Sequence, residues 1–247
     1  MKLENILPIL DQPAFLIKDK KILVISDLHI GIEEELKNFG INSGSQTKKI
    51  LKKMIKICDK YKPKEIILLG DIKHNIPSST YQERKDVKNF LEKIKELSKI
   101  HIIPGNHDGN ISKICPNDII IHPTDGMIVG DIAFTHGHKW PKKELINSKK
   151  IIIGHTHPTI MLTDRMNIRS YEPCFVKTNF ITDKLTEKYK TKNNPDLFIL
   201  PAFNSLCGGV ALNKDGIVGP FSKIINIKKS KIFLLNGTYL GKVEKIT

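Results

Sequence analysis

The sequence predicts an α/β fold whose first part alternates strand and helix, and three observations carry that expectation. Apolar, β-branched runs recur at residues 21–26, 65–69, 100–103, 132–135 and 150–153. Amphipathic segments separate the first three runs. Each run ends in a short polar cluster rich in Asp, His or Asn.

The elements follow in order. The run at 21–26 is short, uninterrupted and β-branched, which is the pattern of a buried strand. Next, Ile50, Leu51, Met54, Ile55 and Cys58 fall at helical spacing and predict an amphipathic helix ahead of the strand at 65–69. Val87, Phe90, Leu91, Ile94 and Leu97 repeat the helical pattern before the strand at 100–103. Strand, helix, strand, helix, strand favours parallel pairing with helices on the face of the sheet. The runs at 132–135 and 150–153 add two more strands. Beyond them the helical signal weakens, and short strand candidates appear at 175–177, 198–200, 209–212, 222–227 and 231–235. Residues 163–195 are polar and Lys-rich with weak periodicity and read as an inserted basic excursion within one domain spanning residues 1–247.

Composition bounds the function. With 40% hydrophobic and 27% charged residues, a chain of 247 residues has the make-up of a globular α/β protein and not of a disordered one. No stretch approaches the roughly 20 consecutive apolar residues of a membrane span, and the N-terminus lacks a signal-peptide pattern, so a cytoplasmic protein without a membrane partner is expected. Cys58, Cys115, Cys174 and Cys207 form no CxxC pair and read as reduced filler. A formal charge of +14 favours a polyanionic partner such as nucleic acid, although a lysine- and isoleucine-rich composition also follows from an AT-rich genome or heat adaptation.

The polar clusters carry the chemistry. They are Ser26-Asp27-Leu28-His29, Gly70-Asp71-Ile72-Lys73-His74, Pro104-Gly105-Asn106-His107-Asp108, Thr135-His136-Gly137-His138 and Gly154-His155-Thr156-His157. Strand carboxyl ends face the binding crevice of an open α/β sheet, so five such loops can converge on one point. Only His101 and His122 of the nine histidines lie outside these clusters, and they read as structural. A donor set of Asp, His and Asn without cysteine suits hard to borderline divalent ions.

These clusters resemble the DxH, GD, GNH(D/E), H and GHxH signature of the calcineurin-like metallophosphoesterases, in order, over roughly residues 21 to 160. The spacing Asp71 to His74 is similar to that of the archaeal phosphoesterases related to the SbcD nuclease. The resemblance implies a four-layer αββα sandwich with a dimetal site at the strand ends. It further implies that Asp27, His29 and His157 hold one metal, Asn106, His136 and His155 hold the second, and Asp71 bridges them. A shared anionic ligand offsets the repulsion of two divalent ions about 3.5 to 4 Å apart. Water activated by the metals would be the nucleophile. By the same resemblance His107 protonates the leaving oxygen or stabilises the phosphoryl charge, Asp108 orients its imidazole, and His74 contacts the phosphate. His138 stands outside the ligand set, lining the pocket or supporting His136.

The expected function is hydrolysis of phosphodiesters with two divalent ions. Mn²⁺ is the first choice of metal, with Ni²⁺, Fe²⁺, Zn²⁺ or Mg²⁺ as alternatives. DNA or RNA is the expected substrate, and a phosphatase or cyclic-nucleotide phosphodiesterase acting on a small metabolite is the alternative. A metal-stabilised scaffold without catalysis is disfavoured, because no ligand of the signature is missing. SbcD-like nucleases continue into a capping domain and a segment that docks on a coiled-coil ATPase; 247 residues leave little room for either, so no stable ATPase partner is expected. Residues 201–205 with Gly208 and Gly209 resemble the late loop that helps close the catalytic core of small family members.

Overall fold

A computed structural model describes residues 5–246. Six strands form the first sheet: β1 (Ile6–Pro8), β2 (Phe15–Ile17), β3 (Ile22–Ile25), β4 (Glu65–Leu68), β5 (Lys99–Ile102) and β6 (Ile120–Ile121), side by side in that order. β1, β2 and β3 pair antiparallel, and β3 through β6 pair parallel, as strand–helix alternation requires. The second sheet holds β7 (Met127–Val129), β8 (Ile132–Phe134), β9 (Lys150–Ile153), β10 (Pro158–Thr163), β11 (Arg169–Asn179), β12 (Asp196–Ile199), β13 (Val210–Ala211), β14 (Lys231–Leu234) and β15 (Tyr239–Lys242). Its main path runs β13-β10-β11-β12-β9-β8-β7, with β14 on β11 and β15 on β14.

Alternation along the strands builds the layers. Ile22 and Val24 of β3 and Ile67 of β4 face the second sheet, meeting Phe134, Ile152, Phe175 and Phe198. The rings of Phe15 and Phe175 stack at 4.9 Å across this interface. The opposite faces of the same strands, through Leu23, Ile25, Ile66 and Leu68, meet α2 (Gln46–Tyr61) and α3 (Tyr81–Lys95); the short α1 (Ile32–Asn38) precedes them. On the far side, Ile151, Ile153, Leu197 and Ile199 pack with α4 (Lys143–Ile146) and α5 (Thr182–Tyr189). Strands buried on both faces explain why their sequences are continuous apolar runs. The result is the expected helix–sheet–sheet–helix sandwich.

Several local expectations change. Ile55, placed on the buried face of the first helix, is exposed, and Ile57 takes its place in the core. Residues 222–227 do not form a strand: Pro220–Lys223 is a 3-10 turn, starting at a proline, and Ile225 makes only an isolated bridge to Phe180. Residues 163–195, expected as a polar excursion, supply the longest strand of the second sheet and a helix. β11 pairs with β10, β12 and β14, and its polar residues Arg169, Ser170 and Tyr171 are exposed. Among the described residues no helix is long and apolar enough to cross a membrane.

Candidate metal centre

β3, β4 and β5 of the first sheet and β8 and β9 of the second all end at one edge of the sandwich, and the five polar clusters leave from there. The ladder between β3 and β4 continues into the loops: Asp27 N donates to Gly70 O at 3.1 Å and His29 N to Asp71 O at 2.9 Å. A late loop closes the edge, with Phe203 N on Ser26 O at 2.9 Å and Asn204 Nδ2 on Leu28 O at 2.9 Å.

The backbone is bent sharply to aim these residues. Asp27, His29, Asp71, His155 and His157 all have φ between 41° and 67°. Non-glycine residues held there cost about 1–3 kcal/mol each and persist only where the surroundings over-determine them. Two glycines make room. A Cβ on Gly70 would stand 2.3 Å from His136 Nδ1, and one on Gly105 would stand 2.1 Å from Asp71 Oδ1.

Donor atoms converge on Asp71. Its Oδ2 lies 3.7 Å from His29 Nε2 and 3.3 Å from His136 Nε2, while its Oδ1 accepts from His107 N at 2.9 Å. Asp27 is fully buried; its Oδ1 lies 3.2 Å from His157 Nε2, and its carboxylate accepts from His155 N. Two groups, Asp27–His29–Asp71 and Asp71–His136–His155, each place their donor atoms within 4.8 Å of one another, sharing Asp71. Of the seven expected ligands, Asn106 alone is exposed.

The histidines are set for coordination. His136 Nδ1 donates to Leu69 O at 2.8 Å and His157 Nδ1 to Gly208 O at 3.0 Å, which makes Nε2 of each ring the nitrogen that faces the carboxylates and that a cation would take. The Nε2 atoms of His29, His136 and His157 are buried without a hydrogen-bond partner among the described residues. Such orphans are costly in a folded protein, and a cation removes the cost. A donor set of carboxylates and imidazoles therefore fits a pair of divalent ions.

Electrostatics agree. Burial pushes His29 down to about 3 and His155 down to about 4, so both rings are neutral and have lone pairs to give. Burial also drives His138 down to about 4, helped by His136 and His155. Asp27 and Asp71 sit below the usual carboxylate range despite burial, because His157 stands beside the first and His136 beside the second.

Two expected roles change. The Asp108 carboxylate accepts from Ile72 N at 2.8 Å, Lys73 N at 3.3 Å and Gly105 N at 2.8 Å, so it ties two site loops together instead of orienting the imidazole of His107. The Nδ1 of His107 is held by the backbone carbonyl of His74. His74, expected on the phosphate, has both ring nitrogens engaged: Nδ1 lies 3.2 Å from His29 Nδ1, and Nε2 meets the Glu35 carboxylate. His101 and His122 pair with each other at 2.8 Å, consistent with a structural role.

The sequence reading missed two residues. Cys207, read as filler, has its Sγ within 4.8 Å of donor nitrogens of His29 and His157. Glu35 was not singled out at all. Neither belongs to a strand-end motif, although the Glu33-Glu34-Glu35 run so soon after His29 was a visible signal.

Concavities flank the centre. One of ≈ 330 Å³ runs from His157 past Lys53, Tyr171 and Phe203, and one of ≈ 600 Å³ runs from Asn106 past His138, Lys139 and Thr124.

The family model described as calcineurin-like phosphoesterase matches residues 20–200. Among solved structures, a nuclease, MPE, from Pseudomonas putida is similar at 20% identity over 91% of this chain and 89% of that one, with a TM-score of 0.57. Yfce, a phosphoesterase from E. coli, aligns at 11% identity over 90% of this chain and 97% of that one, with a TM-score of 0.39. The first likeness shows a shared fold.

Proposed function

The chain belongs to the calcineurin-like phosphoesterase family, hydrolases of phosphoester bonds, and from that premise we propose that it cleaves phosphodiesters of DNA or RNA with two divalent ions, Mn²⁺ first among them. Asp27, His29 and His157 hold one ion in this reading, Asn106, His136 and His155 the other, and Asp71 both. When bound, the ions activate water and neutralise charge on the phosphoryl group.

The chain's own residues do the rest. The Asp71 carboxylate, lying between His29 and His136, supplies negative charge where two cations would repel each other. Because His107 Nδ1 is committed to the His74 carbonyl, Nε2 is the nitrogen that carries a proton to the leaving oxygen. Asp108 fixes the loop that presents both Asn106 and His107.

The observation that supports a diester, and a polymeric one, is that two concavities open beside the centre, one of ≈ 330 Å³ lined by His157 and Lys53 and one of ≈ 600 Å³ lined by Asn106, His138 and Lys139. A chain cleaved in its interior needs room on both sides of the scissile phosphate, and a net charge of +14 suits its backbone. The DxxH spacing of Asp71 and His74 supports kinship with SbcD-like nucleases. The test compares bis-p-nitrophenyl phosphate, p-nitrophenyl phosphate and labelled single- and double-stranded nucleic acids, each with Mn²⁺, Mg²⁺, Ni²⁺ and Zn²⁺. Preference for the monoester, with no cleavage of nucleic acid, overturns the proposal in favour of a small-metabolite phosphatase.

A further inference from the structure

His74 stands in a loop held from two sides. Its backbone N donates both to Ile30 O at 3.0 Å and to Glu83 Oε1 at 2.8 Å, and Glu83 is itself fully buried at the first turn of α3. The loop therefore fixes the imidazole against His29, with ring centroids 5.3 Å apart and planes at 70°. On the other side, Gly31 with φ of 104° turns the chain into α1, and α1 brings Glu35 onto His74 Nε2.

We infer that Glu35 and His74 form a proton-ordering relay that keeps Nε2 of His29 bare for a metal ion. A hydrogen bond between two imidazole nitrogens, here 3.2 Å apart, requires one proton between them. If His29 gives its Nε2 lone pair to a cation, the single proton of that ring sits on Nδ1 and is donated to His74. His74 Nδ1 must then be bare, so its own proton sits on Nε2 and is donated to the Glu35 carboxylate. Every nitrogen and proton is accounted for, and no N–H of His74 is left for a phosphate. The reverse arrangement, a doubly protonated His74, would donate to His29 Nδ1, move the His29 proton to Nε2 and block coordination. Ligation by His29 and a cationic phosphate clamp at His74 thus exclude each other through one hydrogen bond. Glu35 and His74 are positioning residues, extending by one ring the carboxylate–histidine support that metal-bound imidazoles use.

The inference rests on His29 being a ligand, and the experiment separates the two. Mn²⁺ is titrated into metal-free protein without substrate, by calorimetry and by electron paramagnetic resonance, for wild type, Glu35→Ala, Glu35→Gln, His74→Ala and His29→Ala. KM for bis-p-nitrophenyl phosphate is measured in parallel at saturating Mn²⁺. The Glu35 side chain is 54% exposed, so its replacement leaves folding intact. Glu35→Ala and His74→Ala are expected to weaken one of two Mn²⁺ positions by about 10–100-fold, with KM unchanged. Glu35→Gln, whose amide oxygen still accepts from His74 Nε2, is expected nearer wild type. His29→Ala losing a position while Glu35→Ala and His74→Ala bind as wild type overturns the relay alone. Wild-type binding by His29→Ala overturns the ligand set and the relay with it. Unchanged Mn²⁺ affinity with raised KM in His74→Ala returns His74 to the phosphate.

Discussion

His136 Nε2 lies 3.3 Å from Asp71 Oδ2, with neither atom exposed and no other partner for that nitrogen among the described residues. The same oxygen is 3.7 Å from His29 Nε2, so a single carboxylate stands between the two donor groups. Asp71→Asn keeps the volume and removes the shared charge. Hydrolysis of bis-p-nitrophenyl phosphate at saturating metal is expected to fall by more than the roughly 100-fold typical of losing an outer support of a ligand, while the thermal melt stays cooperative. Near-wild-type turnover would falsify the bridging role.

His107→Ala tests the proton donor. With Nδ1 held by the His74 carbonyl, the ring is oriented without taking part in the two donor groups around Asp71. Loss of the ring is expected to cost about 10²- to 10⁴-fold in rate with both metals retained. Metal analysis of the variant decides it: an emptied position makes His107 a ligand.

Asp108→Ala is expected to act on stability. The carboxylate is buried and satisfies the amides of Ile72, Lys73 and Gly105. Stranding buried donors costs about 1–3 kcal/mol each, so a loss of several kcal/mol in denaturant unfolding is expected. A variant that unfolds like wild type but loses the pH dependence of its rate would restore Asp108 as the partner of the His107 ring.

What was legible in the sequence was what repeats. Five strands ending in five polar clusters could be read because a strand buried on both faces is a continuous apolar run, and because Asp, His and Asn at strand ends stand out against it. Asp27, His29, Asp71, His136, His155 and His157 converge as that pattern implied. Strands of two or three residues, such as β6 and β7, are too short to show a period. The true partners of Asp108 are backbone amides, which every residue but proline has, so no side chain announces them. Glu35 and Cys207 reach the centre from a surface helix and a late loop, and only the folded chain brings them there.

In the metal-free protein burial pushes His136 down, but the carboxylates of Asp71 and Asp27 outweigh it and hold the ring up at about 9. A folded value above the unfolded 6.5 means that this proton's contribution to stability is whole below about 6.5 and is lost as pH rises towards 9. A cation must displace the same proton. Binding is therefore expected to release about one proton, and apparent affinity to rise about tenfold per pH unit in that window. Calorimetric Mn²⁺ titrations in buffers of different ionisation enthalpy read the release directly. An affinity that does not change with pH removes His136 from the ligands.

Substrate class is decided by salt. If the excess of Lys and Arg behind the net charge of +14 holds a nucleic-acid backbone, each phosphate neutralised releases counterions and adds roughly one unit to the log–log slope of affinity against salt. For a short oligonucleotide, with Ca²⁺ in place of the activating ion to prevent cleavage, a slope of about three or more is expected. A small diester touches the centre without reaching along the flanking concavities, so its hydrolysis should change far less with salt. The contrast matters because general inhibition of the metal centre by salt would weaken both alike. A slope near zero, or no binding at about 50 mM salt, would leave the charge without a polyanion to serve and move the substrate to a small phosphoester.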